Sequence, residues 1–226
     1  MEKWSEEELV PIRSRVFTYL KNAILEGEYK AGDRLVEREL ADKLKISRTP
    51  IREALLRLES IGLVKTVPRK GVVVTEVSYE EILEVFTILS TLEAVAVKLA
   101  CQKLDEATKS KIDEMVKQID SVLTGEKQCD IFQFHIDMHE EFYKTAKSPK
   151  LCEILVGLVD YIRAFANIGY ERPGRMKQAM EEHRQILVAV SNREDELAEY
   201  LSKIHIENSK KAYIDAMKMK KNKQFK

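Results

Sequence analysis

The chain has 226 residues, 44% hydrophobic and 34% charged, enough apolar side chain to bury a core and too much for a disordered protein. Lys+Arg and Asp+Glu both total 38, yet the charge is uneven: residues 1–78 carry 15 basic and 13 acidic groups, 79–202 carry 15 and 23, and 203–226 carry 8 and 2. No apolar run approaches the roughly 18 residues of a membrane span. The start lacks a basic-then-apolar signal, and the three cysteines (Cys101, Cys129, Cys152) are scattered. A cytoplasmic protein without a disulfide framework or membrane partner is expected.

Residues 1–10 read as a loose acidic leader. Val16, Tyr19, Leu20, Ala23 and Ile24 recur at helical spacing, and Gly27 and Gly32 frame the turn that follows. A second helix is expected from about Val36 to Leu44. A third is capped by Ser47 or Thr49, with Pro50 in its first turn and Gly62 at its end. Leu63–Thr66 and Val72–Val77 are β-prone runs around Pro68-Arg69-Lys70-Gly71, which predicts a hairpin. Helix, helix, helix, hairpin is the outline of a winged helix-turn-helix. Ser78-Tyr79-Glu80-Glu81 has the form of a capping box, and helical periodicity alone continues from there. About six helices are expected, broken at Gly169–Gly174, with the last running from Glu194 to near Lys218 and a solvated Lys-rich tail beyond. The predicted fold is mainly α: a winged helix-turn-helix with a small β-hairpin over 1–77, then an all-α bundle over 78–226.

Function begins at the third helix. Ser47, Arg48, Thr49 and Arg52 gather at its N-terminus, opposite the apolar stripe Ile51, Ala54, Leu55, Leu58. Recognition helices touch base edges with their first residues, and arginine grips guanine O6 and N7 with both arms. Arg38 stands on the preceding helix, and Arg69, Lys70 and Gly71 form the hairpin tip. From Tyr29 to Gly71 there are 11 basic and 6 acidic residues, a local excess suited to phosphate. A merely solvated helix face is the bland alternative for any one of these arginines.

The stretches Asp33-Arg34-Leu35-Val36-Glu37-Arg38-Glu39-Leu40-Ala41, Ile46-Ser47-Arg48-Thr49-Pro50-Ile51-Arg52-Glu53-Ala54-Leu55 and Leu58-Glu59-Ser60-Ile61-Gly62-Leu63-Val64 resemble the N-terminal domain of GntR-type bacterial transcription regulators. The resemblance implies a homodimer on the double-stranded DNA of a palindromic operator. By motif position it implies Arg38, Arg48, Thr49, Arg52 and the Lys70-Gly71 tip as contacts.

All four histidines, His135, His139, His183 and His205, lie in the second domain. His135 and His139 are four apart and share a helix face. His183 and His205 each fall in an apolar stripe, so all four are expected to point inward. Buried unpaired imidazoles cost about 1–3 kcal/mol each, and a common partner such as a zinc, nickel, copper or iron ion relieves that cost. A satisfied core histidine is the alternative for each one singly.

His135–His139 with Phe142, Ala146 and Ser148-Pro149-Lys150-Leu151, then Glu182-His183-Arg184-Gln185-Ile186-Leu187, then His205-Ile206, resemble the FadR-type (FCD) ligand-binding domain. The resemblance implies His139, His183 and His205 as ligands to one metal in an all-helical pocket. Aspartate is usual at the His135 position, so an all-histidine set departs from the pattern. It leaves the metal charge less neutralised, which favours zinc or nickel and an anionic effector. Leu89 stands where many relatives carry an arginine facing the pocket. Arg163 is the candidate substitute, with a surface arginine snorkelling past Ile162 as the alternative, and Asn208, three residues after His205, shares that histidine's face.

These readings combine into one expectation: a GntR-type regulator, in all expectation a repressor, controlled by a small carboxylate bound at a divalent metal. Two alternatives stay open. The metal itself is the signal, or the second domain is a metalloenzyme. Against the enzyme, the chain lacks His-Glu-x-x-His, a Gly-rich phosphate loop and Gly-x-Ser-x-Gly.

Overall fold

In the computed structural model, residues 11–170 and 172–224 are described, with backbone alone at 167 and 221–224. The acidic leader lies outside them. The first helix, α1, spans Ile12–Leu25 and buries Val16, Leu20, Ala23 and Ile24. A two-residue strand β1, Arg34–Leu35, precedes α2, Glu37–Leu44. Lys45 ends α2 in the left-handed conformation (φ 54°), and the chain enters α3, Arg48–Ser60, through Ser47. Ser47 is the N-cap residue with extended backbone but makes no side-chain cap bond, while Thr49 and Pro50 lie within the first turn. Strands β2, Val64–Val67, and β3, Gly71–Val74, form the expected hairpin. Beyond it, β1 pairs antiparallel with β3 through Arg34–Val73 and Leu35–Val72, giving sheet order β1-β3-β2. A two-residue strand has no readable period, which is why the sequence shows only the hairpin.

Leu20, Ile51, Ala54, Leu58 and Leu63 form the fully buried centre of this unit, which extends to Ser78 and also takes in Arg163–Phe165.

The second unit holds six α-helices among its described residues. They are α4 Tyr79–Gln102, α5 Glu106–Thr124, α6 Ile131–Thr145, α7 Pro149–Phe165 (apart from its last turn), α8 Arg175–Ser191 and α9 Asp195–Gln224. Polar caps set two of the starts. Asp105 accepts from the Thr108 N–H at 2.8 Å, and Asp130 accepts from Phe132 and Gln133 at 2.9 and 3.2 Å. Glu81, expected in a capping box with Ser78, accepts the Tyr161 hydroxyl at 2.6 Å. A 3₁₀ turn, Asn167–Gly169, packs against α9: a Cβ on Gly169 would meet the Tyr213 backbone nitrogen at 2.9 Å, so only glycine allows the approach.

α9 departs from expectation twice. Its helix continues to Gln224 rather than fraying near Lys218, because no glycine or proline interrupts a run of good helix formers. The apolar stripe expected to carry His205 (Leu197, Leu201, Asn208 and Ala212) is also buried only in part. Leu197 is 45% exposed, while Ala198, Ser202, His205, Ser209 and Ala212 are buried. Ile206 and Tyr213 are buried as well, and the helix packs on its neighbours α4 and α8.

Candidate functional site

Arg38, Ser47, Arg48, Thr49, Arg52, Arg69, Lys70 and Gly71 are all exposed. The first five stand on α2 and at the start of α3, while the last three form the tip of the β2–β3 hairpin. Arg69 and Gly71 adopt positive φ, 65° and 81°. Only glycine does so without strain, and its missing side chain leaves the tip free to approach a backbone closely. Arg52 is engaged: its Nε and Nη2 donate to the two carboxylate oxygens of Glu37 at 3.0 and 2.9 Å. That fork holds the Glu37 carboxyl below its usual range. Arg38 faces Asp42 at 3.9 Å, an exposed pair of little energetic weight. Sequence reasoning passed over Arg34, whose guanidinium lies beside Gly71, within 3.8 Å of a Cβ there. The signal was present, since Arg34 lies in the same basic stretch, but the β1–β3 pairing that brings it to the tip was not foreseen.

In the second unit α6, α8 and α9 bring the four histidines together. His135, His139, His183 and His205 are between 1% and 4% exposed. One potential ligand atom from each lies within 4.8 Å of the others. His183 Nε2 is 3.0 Å from His135 Nε2 and 3.1 Å from His139 Nε2. Burial, then the neighbouring rings, pushes the His135 and His183 pKa values well down, and His139 falls to about 3. Three neutral imidazoles therefore turn Nε2 towards one point at neutral pH. One N–H cannot satisfy all of them.

Neighbouring groups fix two tautomers. Tyr143 donates to Glu93 Oε2 at 2.6 Å, so its oxygen accepts from Nδ1 of His139 at 3.0 Å. Ser202 donates to the other Glu93 oxygen at 3.0 Å. His205 Nδ1 donates to Glu182 Oε2 at 2.7 Å, and Glu182 also accepts from Arg175 at 3.0 and 3.1 Å and from Asn208 at 2.8 Å. Burial pushes the Glu182 carboxyl up, but the His205 and Arg175 contacts hold it below its usual value. With Nδ1–H committed on both rings, Nε2 of His139 and of His205 carries a lone pair, the arrangement that orients imidazole for a metal. Nitrogens about 2.0–2.1 Å from a shared ion stand roughly 3–4 Å apart. The cluster spans that range with slight contraction, so its residues fit a divalent ion.

Asn208 joins this network as its spacing from His205 suggests. Arg163, in the last turn of α7, groups with the N-terminal unit. The arginine beside the histidines is Arg175, at the first turn of α8 and 4% exposed. A lone arginine after Gly174 carried no sequence signal for burial. Glu93 and Tyr143 were likewise missed, because a fully buried glutamate on an otherwise apolar face is visible only once Tyr143 and Ser202 are placed beside it.

Comparison with known proteins follows the same division. Residues 12–74 match the family of bacterial regulatory proteins of the gntR type, and residues 84–208 match the FCD domain. The HTH-type transcriptional regulator YdhC of Bacillus subtilis is 27% identical over 199 residues, covering 88% of this chain and 89% of that protein. McbR of Escherichia coli is 27% identical over 189 residues, 83% and 86% of the two chains. The solved structure of E. coli McbR/YncC superposes with a TM-score of 0.72 at 25% identity, covering 88% of this chain and 95% of that one. A probable D-xylose utilization operon transcriptional repressor of Paenarthrobacter nicotinovorans is 24% identical over 196 residues, 86% and 85% of the two chains. No helix among the described residues is long and apolar enough to cross a membrane. The chain belongs to the gntR family of bacterial transcriptional regulators, in the group that carries an FCD domain behind its helix-turn-helix.

Proposed function

We propose that this regulator is a homodimeric repressor whose grip on a palindromic operator is set by a divalent metal and a small carboxylate in the FCD domain. The observation that carries the reading is the convergence of the buried Nε2 atoms of His135 and His139 on that of His183, 3.0 and 3.1 Å away, with His205 beside them. Zinc and nickel suit an all-imidazole set. When bound, the metal supplies a positive centre that draws an anion. The protein's residues do the rest: Tyr143 and Glu182 hold two rings in the productive tautomer, and the surrounding helices exclude water.

On DNA, Ser47, Arg48, Thr49 and Arg52 read base edges from the start of α3. Arg38 and the wing tip Arg69-Lys70-Gly71, joined by Arg34, hold the sugar-phosphate backbone. One winged domain makes few base contacts and a two-fold dimer doubles them, which motivates the dimer.

Burial of the cluster favours a second reading. Four protein ligands resemble a closed structural site more than an open one, so that the metal alone is the signal. Fluorescence anisotropy on a selected operator separates the readings. Metal-free protein, zinc-loaded protein, and zinc-loaded protein with citrate, malate or lactate are compared. The carboxylate reading expects the acid to change affinity by about 5–150-fold beyond zinc. An effect complete with zinc alone selects the second reading, and identical affinity in all states contradicts both.

A further inference from the structure

We infer that two copies of this chain pair through the outward flank of α4, antiparallel about a two-fold axis beside Thr91. The inference deepens the homodimer reading by naming its surface, and it rests on that reading.

α4 is apolar on two faces. Ile82, Phe86, Leu89, Ala96, Val97 and Ala100 are buried in the bundle, where the helix packs on α9 and α8. Val85, Ile88, Leu92, Val95 and Leu99 make up the other face, and none of the five is fully buried. Ile88 is 43% exposed and Val95 45%. Apolar residues scattered singly over a surface need no partner, but a contiguous row along one helix marks a contact site.

The spacing of that row selects the partner. Its steps are 3, 4, 3 and 4 residues, the alternation of the a and d positions of a coiled-coil heptad, whose side chains insert between those of a facing helix. Glu81 and Gln102 fall on the same rhythm and end the row with polar groups. A period of 3.5 residues suits a second helix, and α4 of another copy presents the same row.

Charge along the rim sets the orientation. Glu84, Thr91 and Lys98 are exposed, lie seven residues apart, and edge the row on its open side. Turning a second copy end for end sets Glu84 against the partner's Lys98 and Thr91 against the partner's Thr91. In the layers beneath, Val85 meets the partner's Val95 and Ile88 meets the partner's Leu92. A parallel pair sets this rim against the other edge, Ile82, Leu89 and Ala96, where no opposite charge waits. An antiparallel pair shifted by one heptad sets Lys98 against the partner's Thr91 and loses both ion pairs. Lys98 already bonds Glu199 at 2.9 Å, and an ammonium with three donors can serve a second carboxylate. Exposed ion pairs are weak, so the apolar layers supply the affinity while the charges choose orientation and register.

Sedimentation and thiol cross-linking of the full chain test this together. A single cysteine is placed by Thr91→Cys, or by Thr87→Cys as the control, in a chain carrying Cys129→Ser and Cys152→Ser; the remaining Cys101 is buried. Both threonines are exposed. In the inferred pair Thr91 faces the partner's Thr91, whereas Thr87 stands eight residues, about 12 Å, along the helix from the partner's Thr87. A short bismaleimide should therefore join Thr91→Cys into a covalent dimer at least tenfold faster than Thr87→Cys. Ile88→Glu with Val95→Glu should raise the dimer Kd tenfold or more with an unchanged circular dichroism spectrum. If the glutamates unfold the chain, the ratio of the two cross-linking rates decides alone. A dimer that survives the glutamates, or equal cross-linking at both positions, overturns this surface and leaves the homodimer reading standing. A parent chain that sediments as a monomer at micromolar concentration removes the homodimer reading and the surface with it.

Discussion

Tyr143 donates its phenolic proton to Glu93 at 2.6 Å, joining residues 50 positions apart in a contact buried from solvent. Burial pushes the Glu93 carboxyl up, while His205, Tyr143 and Ser202 oppose the shift. The consequence is felt at His139, whose Nδ1 lies 3.0 Å from the same phenol oxygen. Tyr143→Phe keeps the ring and removes the partner. Zinc affinity, measured by competition with a chromophoric chelator, should fall about 10–100-fold while the fold is retained. Unchanged affinity would show that Tyr143 only packs.

On the DNA side, Arg48→Ala should weaken binding to a selected operator by about 1–3 kcal/mol and relax discrimination at one base position. Lys70→Ala should weaken binding evenly across sequences and flatten the salt dependence. Equal losses on specific and random DNA for Arg48→Ala would place that arginine on phosphate.

Arg52 is held by Glu37 in the free protein through two bonds of 3.0 and 2.9 Å. Glu37→Gln removes the opposing charge and releases the guanidinium. Affinity for random DNA should rise, and the slope of log K against log salt should steepen by about one. A variant that binds more weakly would mean that Glu37 presents Arg52 to DNA rather than restraining it.

The histidines also set a pH dependence for the metal-free protein. The pKa values of His135, His139 and His183 lie below the free value of about 6.5, that of His139 near 3. Between those limits the unfolded chain binds protons that the folded chain refuses. Stability is therefore present above pH 6.5 and lost as pH falls towards 3. From pH 7.5 to 5.5 stability should fall by on the order of 1 kcal/mol for each ring that stays neutral, read from urea unfolding in the presence of chelator. The chain has four histidines, all in this cluster, so other side chains add little in that window. Stability flat across it would mean that the rings are not held neutral.

The legible parts of the molecule were those with long periods or dense chemistry. α1 to α3, the hairpin and the inward course of His135, His139 and His183 follow from apolar spacing and from His-x-x-x-His on one face, whereas His205 is buried although Leu197 of its stripe is exposed. What stayed hidden depended on contacts between distant segments. The two-residue β1 exists because β3 pairs with it. The buried face of α9 mixes the small residues Ala198, Ser202, Ser209 and Ala212 with Ile206 and Tyr213, a face that a search for large apolar residues at helical spacing does not single out. Arg175 and Glu93, charged by sequence and buried in the fold, are tolerated because Glu182, Ser209, Tyr143 and Ser202 meet them.

The central claim is that the four buried histidines hold one divalent ion. Elemental analysis of the purified chain and of His183→Ala, each dialysed against zinc and then freed of excess, tests it most directly. His183 is the discriminating position because its Nε2 lies within 3.1 Å of Nε2 on both His135 and His139. The account predicts one zinc per chain in the parent and none in the variant, with the parent's melting temperature falling on chelation. Full zinc in His183→Ala, or no zinc in either protein, would contradict it.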